Sequence, residues 1–252
     1  MPTDVLLRAN EITRRFGGLK AVDNVSLDVA RGEVHALIGT NGAGKSTLVN
    51  VLAGELAPTS GRVELLGHDV TQWSQPRRAR AGLGRTYQRT TIFPRFTVLE
   101  NCRLAAQARH QRPVALLDAA AACATTLALA HDALARAGID ALAGRMAGSL
   151  AHGQKRQLEI AMCLATAPQM LLLDEPLAGM GPEESTRMIE LLAALKPGHG
   201  MLLVEHDMDA VFRIADRITV MVDGAVLATG APQDVRDNQD VQTAYLGEAL
   251  SG

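Results

Sequence analysis

Only three cysteines occur in the 252 residues, Cys102, Cys123 and Cys163, an odd number spread far apart. No C-x-x-C spacing exists, so neither a disulfide frame nor a zinc site is indicated, and a reducing compartment fits. Long apolar runs are also missing. The nearest approach, residues 114–130, is mostly alanine, carries Asp118, Thr125 and Thr126, and falls short of the ~20 residues that span a bilayer. Residues 1–8, MPTDVLLR, lack the charged-then-apolar order of a signal peptide. The expectation is a cytosolic chain whose membrane role, if it has one, runs through a partner. An excess of positive charge is absent too: formal net charge is −2, which removes the electrostatic footprint of a nucleic-acid binder. One basic run, Arg77, Arg78 and Arg80 with Arg85 and Arg89 nearby, reads as a solvated face or a protein contact. With 47% hydrophobic and 21% charged residues, the chain is globular and long enough for one large domain or two small ones.

What the chain does contain is a phosphate-binding loop. Residues 39–47, Gly39, Thr40, Asn41, Gly42, Ala43, Gly44, Lys45, Ser46 and Thr47, fit G-x-x-x-x-G-K-[ST]. Residues 33–38 (EVHALI) read as a buried strand before it, and residues 46–54 as a helix closed by a glycine after it. Glycines let backbone N–H groups approach an oxyanion, and the positive helix end faces the same point. Lys45 would reach the β- and γ-phosphates and Ser46 would ligate Mg²⁺.

The rest alternates strand-like and helix-like stretches. Residues 5–12 and 25–29 read as strands around a turn at 14–18, where Phe16 either offers its face to a purine or fills the core. Residues 61–67 read as a strand and 77–82 as a short helix. Gln88 is expected at the end of a strand. Residues 98–165 turn helical, with breaks at Pro113, Gly138, Gly144 and Gly148. Residues 149–154 (SLAHGQ) form a second helix N-terminus suited to an anion. Residues 170–176 (MLLLDEP) read as a central strand delivering two carboxylates, Asp174 to hold Mg²⁺ and Glu175 to polarise a water. Residues 200–207 repeat the design with His206 at the strand end. Short strands at 217–222 and 225–228 and helices ending near Tyr245 and Glu248 complete the chain.

In this order, over nearly the whole length, the motifs resemble the nucleotide-binding subunit of an ABC transporter. A phosphate loop alone would leave open a kinase or a GTPase; residues 150–154 preceding residues 171–175 make the resemblance specific. It implies an α/β P-loop NTPase (RecA-like) core with an antiparallel β subdomain and an inserted α-helical subdomain. One domain would span residues 1–252, with the core at about 1–88 and 166–252 and the helical part at about 89–165. It implies ATP and Mg²⁺ as cofactors and ATP hydrolysis coupled to transport as the activity. Phe16 takes the adenine-stacking position and residues 39–47 are the Walker A loop. Leu150, Ala151, His152, Gly153 and Gln154 form the signature that touches a second subunit's nucleotide. Ser46, Gln88 and Asp174 would hold Mg²⁺. Glu175 would be the base, with His206, Lys45 and Gln88 assisting.

Within the family, GRTYQ at 84–88, QLEI at 157–160, DEPLAGM at 174–180, VEHDM at 204–208 and AYLGE at 244–248 look like the branched-chain amino-acid uptake type. The implied partners are a second ABC ATPase subunit (in a homo- or heterodimer), transmembrane permease subunits and, indirectly, a periplasmic solute-binding protein. Nucleic acid is not among them, and the place is the cytoplasmic face of the inner membrane. The alternatives are a lipopolysaccharide-export ATPase, which shares the YLGE ending, and a soluble ABC ATPase of nucleic acid or ribosomes. Ala151 and Gly181 depart from the Ser and Asp of many relatives, as two unequal sites would allow. Ile92, Phe93, Phe96 and Val98 are apolar for a loop and are expected to line a permease groove or to pack in the helical core.

Overall fold

The computed structural model describes residues 4–88, 91–110 and 119–249. Arg89, the break expected at Pro113 and residues 114–118 of the alanine-rich run lie outside that set, as do the side chains of Cys123 and residues 245–248.

Burial along the strands separates two sheets. Val5–Phe16 (β1), Leu19–Ala30 (β2), Ser60–Leu65 (β4) and His68–Asp69 (β5) form an antiparallel sheet in the order β2-β1-β4-β5. Its strands mix buried and exposed positions, as a sheet with one wet face must. The second sheet contains Val34–Gly39 (β3), Leu83–Arg85 (β6), Met170–Asp174 (β7), Gly200–Val204 (β8), Arg217–Val222 (β9) and Ala225–Gly230 (β10), in the order β10-β9-β3-β8-β7-β6. All its pairings are parallel except β9 with β10. Every residue of β7 and β8 is buried, which is why both read as unbroken apolar runs.

Alternation along β7 divides the interior. Leu171 and Leu173 face Val98–His110 (α3), Ala119–Arg136 (α4), His152–Ala165 (α5) and Pro182–Leu195 (α6). Met170 and Leu172 face Lys45–Ala53 (α1) and the antiparallel sheet. A smaller core joins β3 and β9 to Met208–Ile214 (α7), Pro232–Arg236 (α8) and Gln239–Ala249 (α9). Each fully buried aliphatic side chain contributes roughly 1.5–3 kcal/mol. Parallel strands bring their C-terminal ends to one edge. The register pairs Asp174 with Val204 and Gly39 with Met221, so the segments that follow β3, β7, β8 and β9 converge there.

Several expectations are corrected. β1 and β2 run up to a turn of two glycines, Gly17 and Gly18, because Phe16 pairs with Leu19 and Arg14 with Val22 across the hairpin; the apolar pattern marked only the buried stretches. β6 stops at Arg85, so Gln88 lies in the loop beyond a strand rather than at its end. The basic run is not a solvated face throughout. Arg78, in Gln75–Ala81 (α2), is 1% exposed and donates to the carbonyls of Val51, Leu52, Thr71 and Trp73. It ties α2 to the end of α1, and Arg77 covers the Trp73 ring at 3.9 Å. Val98 is fully buried and Ile92 packs on the helical core, whereas Phe93 and Phe96 stay exposed and stack at 5.6 Å.

His35 on β3 is fully buried. Its ring bridges the Asp28 carbonyl at 2.9 Å and the Thr219 hydroxyl at 2.8 Å, and Thr219 meets Thr229 at 2.9 Å. Asp28, Glu33 and Arg217 stand around it. Desolvation lowers its pKa to about 4. The folded state therefore refuses a proton that the unfolded chain accepts near pH 6.5. That stabilisation is complete above this value and fades as pH falls towards 4. Linkage makes the loss about 2 kcal/mol between about pH 7.5 and pH 5. Burial raises Glu159 and Glu205 in the opposite sense, so the difference from His35→Gln carries the result. Denaturant unfolding at the two pH values is expected to show the wild type losing this much more than the variant.

Candidate functional site

The loop after β3 is shaped by lack of room. A Cβ on Gly44 would sit 2.1 Å from the Ala21 carbonyl oxygen, and one on Gly39 2.1 Å from that of Met221; both have positive φ. Only glycine fits either place. The turn between β9 and β10 closes the other side, with Gly224 N donating to Ala43 O at 3.2 Å and Asp23 N to Gly224 O at 2.8 Å. α1 starts at Gly44 with no acidic residue in its first turn, so its positive end is uncompensated within the helix. Lys45 Nζ donates to Gly39 O at 2.6 Å and Thr40 O at 2.8 Å, which arches its ammonium over the loop.

A cleft of about 420 Å³ opens here. Residues 41–47 line it together with Gln88, Glu175 and Val204, and with Lys20, Asp223 and Gly224. Gln88 Nε2 donates to Glu175 Oε2 at 3.0 Å. Glu175 adopts φ 48° just past β7, a left-handed conformation unfavourable for a side-chain-bearing residue. Its N–H is held by Val204 O at 2.9 Å. His206 Nδ1 lies 3.9 Å from Glu175 Oε1, and the imidazole is 67% exposed.

Asp174, the last residue of β7, is buried and is not among the residues that line the cleft. Burial pushes its pKa up, the Arg85 guanidinium at 3.9 Å pulls it down, and Glu175 pushes it up again. Arg85 also donates to Asn50 Oδ1 at 2.7 Å and meets Glu55 at 3.1 Å. It thereby fastens the end of α1 to the strand bearing Asp174. Glu205 is 1% exposed. Its carboxylate accepts from Leu177 N at 2.9 Å and His206 N at 3.3 Å, bracing the chain after both acidic strands. Sequence reasoning missed Glu205, Arg85 and the Asp223–Gly224 turn as parts of the site. The available signals were that Glu205 follows an apolar strand, as Glu175 follows one that is apolar up to Asp174, and that it falls in the segment VEHDM at 204–208.

The expected residues do not all meet. Phe16 is half exposed, does not line the cleft and carries Arg14 over its ring at 4.7 Å. Leu150 is buried, while Ala151, Gly153 and Gln154 line a separate hollow of about 260 Å³ with Met180, Glu184 and Arg187. The two hollows share no lining residue. α5 begins after Ala151, whose N–H is capped by Gln154 Oε1 at 3.1 Å; alanine itself has no oxygen to return a cap. His152 reaches the Ala178 carbonyl at 3.0 Å, and Gly181 N donates to Glu184 Oε2 at 3.4 Å.

The chain is similar over most of its length to known proteins. The ABC transporter family model matches residues 22–178, and that of the branched-chain amino acid ATP-binding cassette transporter matches residues 225–250. LivG of Salmonella typhimurium, a high-affinity branched-chain amino acid transport ATP-binding protein, is 43% identical over 97% of this chain and 98% of its own length. BraF of Pseudomonas aeruginosa, described in the same words, is 42% identical over the same shares. The crystal structure of the ADP conformation of MJ1267, an ATP-binding cassette of an ABC transporter, matches with TM-score 0.86 at 32% identity, covering 96% of this chain and 99% of that one. A family match over residues 22–178, with full-length identity of this order, leaves one conclusion: the chain belongs to the ABC transporter family of ATP-binding subunits.

Proposed function

We propose that the chain is the ATP-hydrolysing subunit of an importer for branched-chain amino acids or related small carboxylates. The observation that carries this is the cleft lined by Lys45, Ser46 and the hydrogen-bonded Gln88–Glu175 pair. The names of LivG and BraF support the substrate class. Backbone N–H groups of residues 41–47 and the end of α1 hold the phosphates. Lys45 offsets their charge. Glu175 orients and deprotonates the attacking water while Gln88 fixes its carboxylate, and His206 contacts the γ-phosphate. Positioning and charge stabilisation are the protein's main tasks in phosphoryl transfer. Ser46, Gln88 and Asp174 offer only hard oxygen donors, a set that fits Mg²⁺. Bound there, Mg²⁺ would neutralise charge on the phosphate oxygens. Phe16, beside the exposed Leu19 at the hairpin tip, is the surface for adenine.

The α5 end opens on its own hollow, so a second ABC subunit, identical or not, supplies the nucleotide it faces. The chain acts as one cassette, with residues 89–165 as its helical part. No helix among the described residues is long and apolar enough to cross a membrane. Docking to permease subunits at the cytoplasmic face fits the exposed Phe93–Phe96 pair, and it links the chain indirectly to a solute-binding protein. Purification of the tagged chain from membranes is expected to bring down permease subunits. A photocrosslinker at position 93 is expected to label them. Recovery of ribosomes or nucleic acid instead would overturn the importer assignment, and a label confined to this chain would remove the docking surface.

A further inference from the structure

The loop carrying Gln88 is gripped by an ion pair on α5. Arg156 and Glu159 lie three residues apart on one helix face, and both are buried. Arg156 Nη1 meets Glu159 Oε2 at 2.9 Å. Three further bonds from the pair reach the loop. Arg156 donates to Tyr87 O at 3.0 Å and Gln88 O at 2.7 Å, and Glu159 Oε1 accepts from Thr91 N at 2.8 Å. The grip therefore falls on both sides of the residue that holds Glu175.

We propose that Arg156 and Glu159 are positioning residues for hydrolysis: through Tyr87, Gln88 and Thr91 they set where Gln88 presents the Glu175 carboxylate. This rests on the assignment of Glu175 as the group that activates water. Stability is a poor reason for the pair to exist. Desolvating two charges offsets much of their attraction, and a well-packed apolar pair commonly replaces a buried ion pair at no loss. An apolar pair, however, could not hold two carbonyls and an amide in fixed places. Arg suits the task because its planar fork addresses several acceptors at once. The residues lie five and eight positions past Ala151, where α5 is capped. Helix α5 is one stiff body, so whatever binds at that end and shifts the helix also shifts Gln88 and, through it, Glu175.

The test is a double-mutant cycle with Gln88→Ala, reading kcat, nucleotide affinity and thermal midpoint together. Arg156→Met is expected to keep nucleotide affinity and to lower kcat by about 10²-fold, the size of effect a misplaced catalytic group produces. Arg156→Lys, which still donates but has no fork, is expected to fall between. In the Gln88→Ala background, Arg156→Met is expected to add no further loss, because its effect passes through Gln88. Independent losses that multiply would overturn the proposal, as would a kcat loss that merely follows a lowered midpoint. If Gln88→Ala leaves kcat unchanged, the proposal fails along with the role given to Gln88, while nucleotide binding by residues 39–47 stands. Should Arg156→Met not fold, Glu159→Gln, which removes only charge, runs the same cycle with the same expected outcomes.

Discussion

Glu175→Gln is expected to hydrolyse ATP about 10²–10⁴-fold more slowly than wild type while binding it at least as tightly, the range removed with a general base. The replacement changes little besides the charge. Gln is close in shape to Glu and keeps a carbonyl oxygen, so the 3.0 Å bond from Gln88 Nε2 has an acceptor still. The N–H of residue 175 stays on Val204 O, and the φ of 48° that aims the side chain is unaffected. What disappears is the proton acceptor and one negative charge beside the phosphates. Loss of that charge favours the anion, so the nucleotide is held unhydrolysed and a dimer closed on it persists. Steady-state phosphate release, nucleotide titration and size-exclusion chromatography with ATP present check the three parts. Full turnover in the variant would assign the base elsewhere.

Lys45→Ala is expected to weaken nucleotide binding by about 10²-fold and to lower the empty protein's stability modestly, because the bonds from Nζ to Gly39 O and Thr40 O are lost. A hydrogen bond to a charged group contributes roughly 1.5–3 kcal/mol, and the upper end corresponds to about two decades in affinity. Fold integrity is separable here. Position 45 is the first residue of α1, where alanine is at least as good a helix former as lysine. The glycines that shape the loop are also untouched. The thermal midpoint without nucleotide should therefore fall only by what the two carbonyl bonds contribute, and the upward shift that ligand binding causes should largely vanish. Wild-type affinity in this variant would show that the backbone N–H groups alone bind the phosphates.

Parts of this molecule that depend on one contiguous stretch were legible in the sequence. Residues 39–47 announce themselves because a phosphate cradle needs glycine at fixed spacing. β7 and β8 do so because strands buried on both faces have no polar residue until they reach the site. What depended on distant segments was not legible. Arg78 and Arg85 were placed among surface charges because charge predicts exposure until the carbonyls that receive a guanidinium are known. The antiparallel hairpin outran its apolar pattern because cross-strand pairing continued beyond the buried residues. Glu205 falls within VEHDM at 204–208, but nothing in that segment shows that it joins two loops that meet only after β7 and β8 pair. Gln88 was expected as a strand end, and its position turns instead on the hydrogen bonds that Arg156 makes 68 residues away.

The walls around Gly44 come from both ends of the chain: Ala21 on one side and Gly224 on the other. The strands flanking β3 are β8 and β9, both made late. During synthesis at about 5–20 residues per second, roughly ten to forty seconds separate the phosphate loop from its second wall. Until β8 and β9 are made, β3 is an apolar strand with neither neighbour, and the loop has its glycines without its shape. Nucleotide therefore cannot serve as an early template for folding this chain. It can stabilise only a chain whose late strands are already in place.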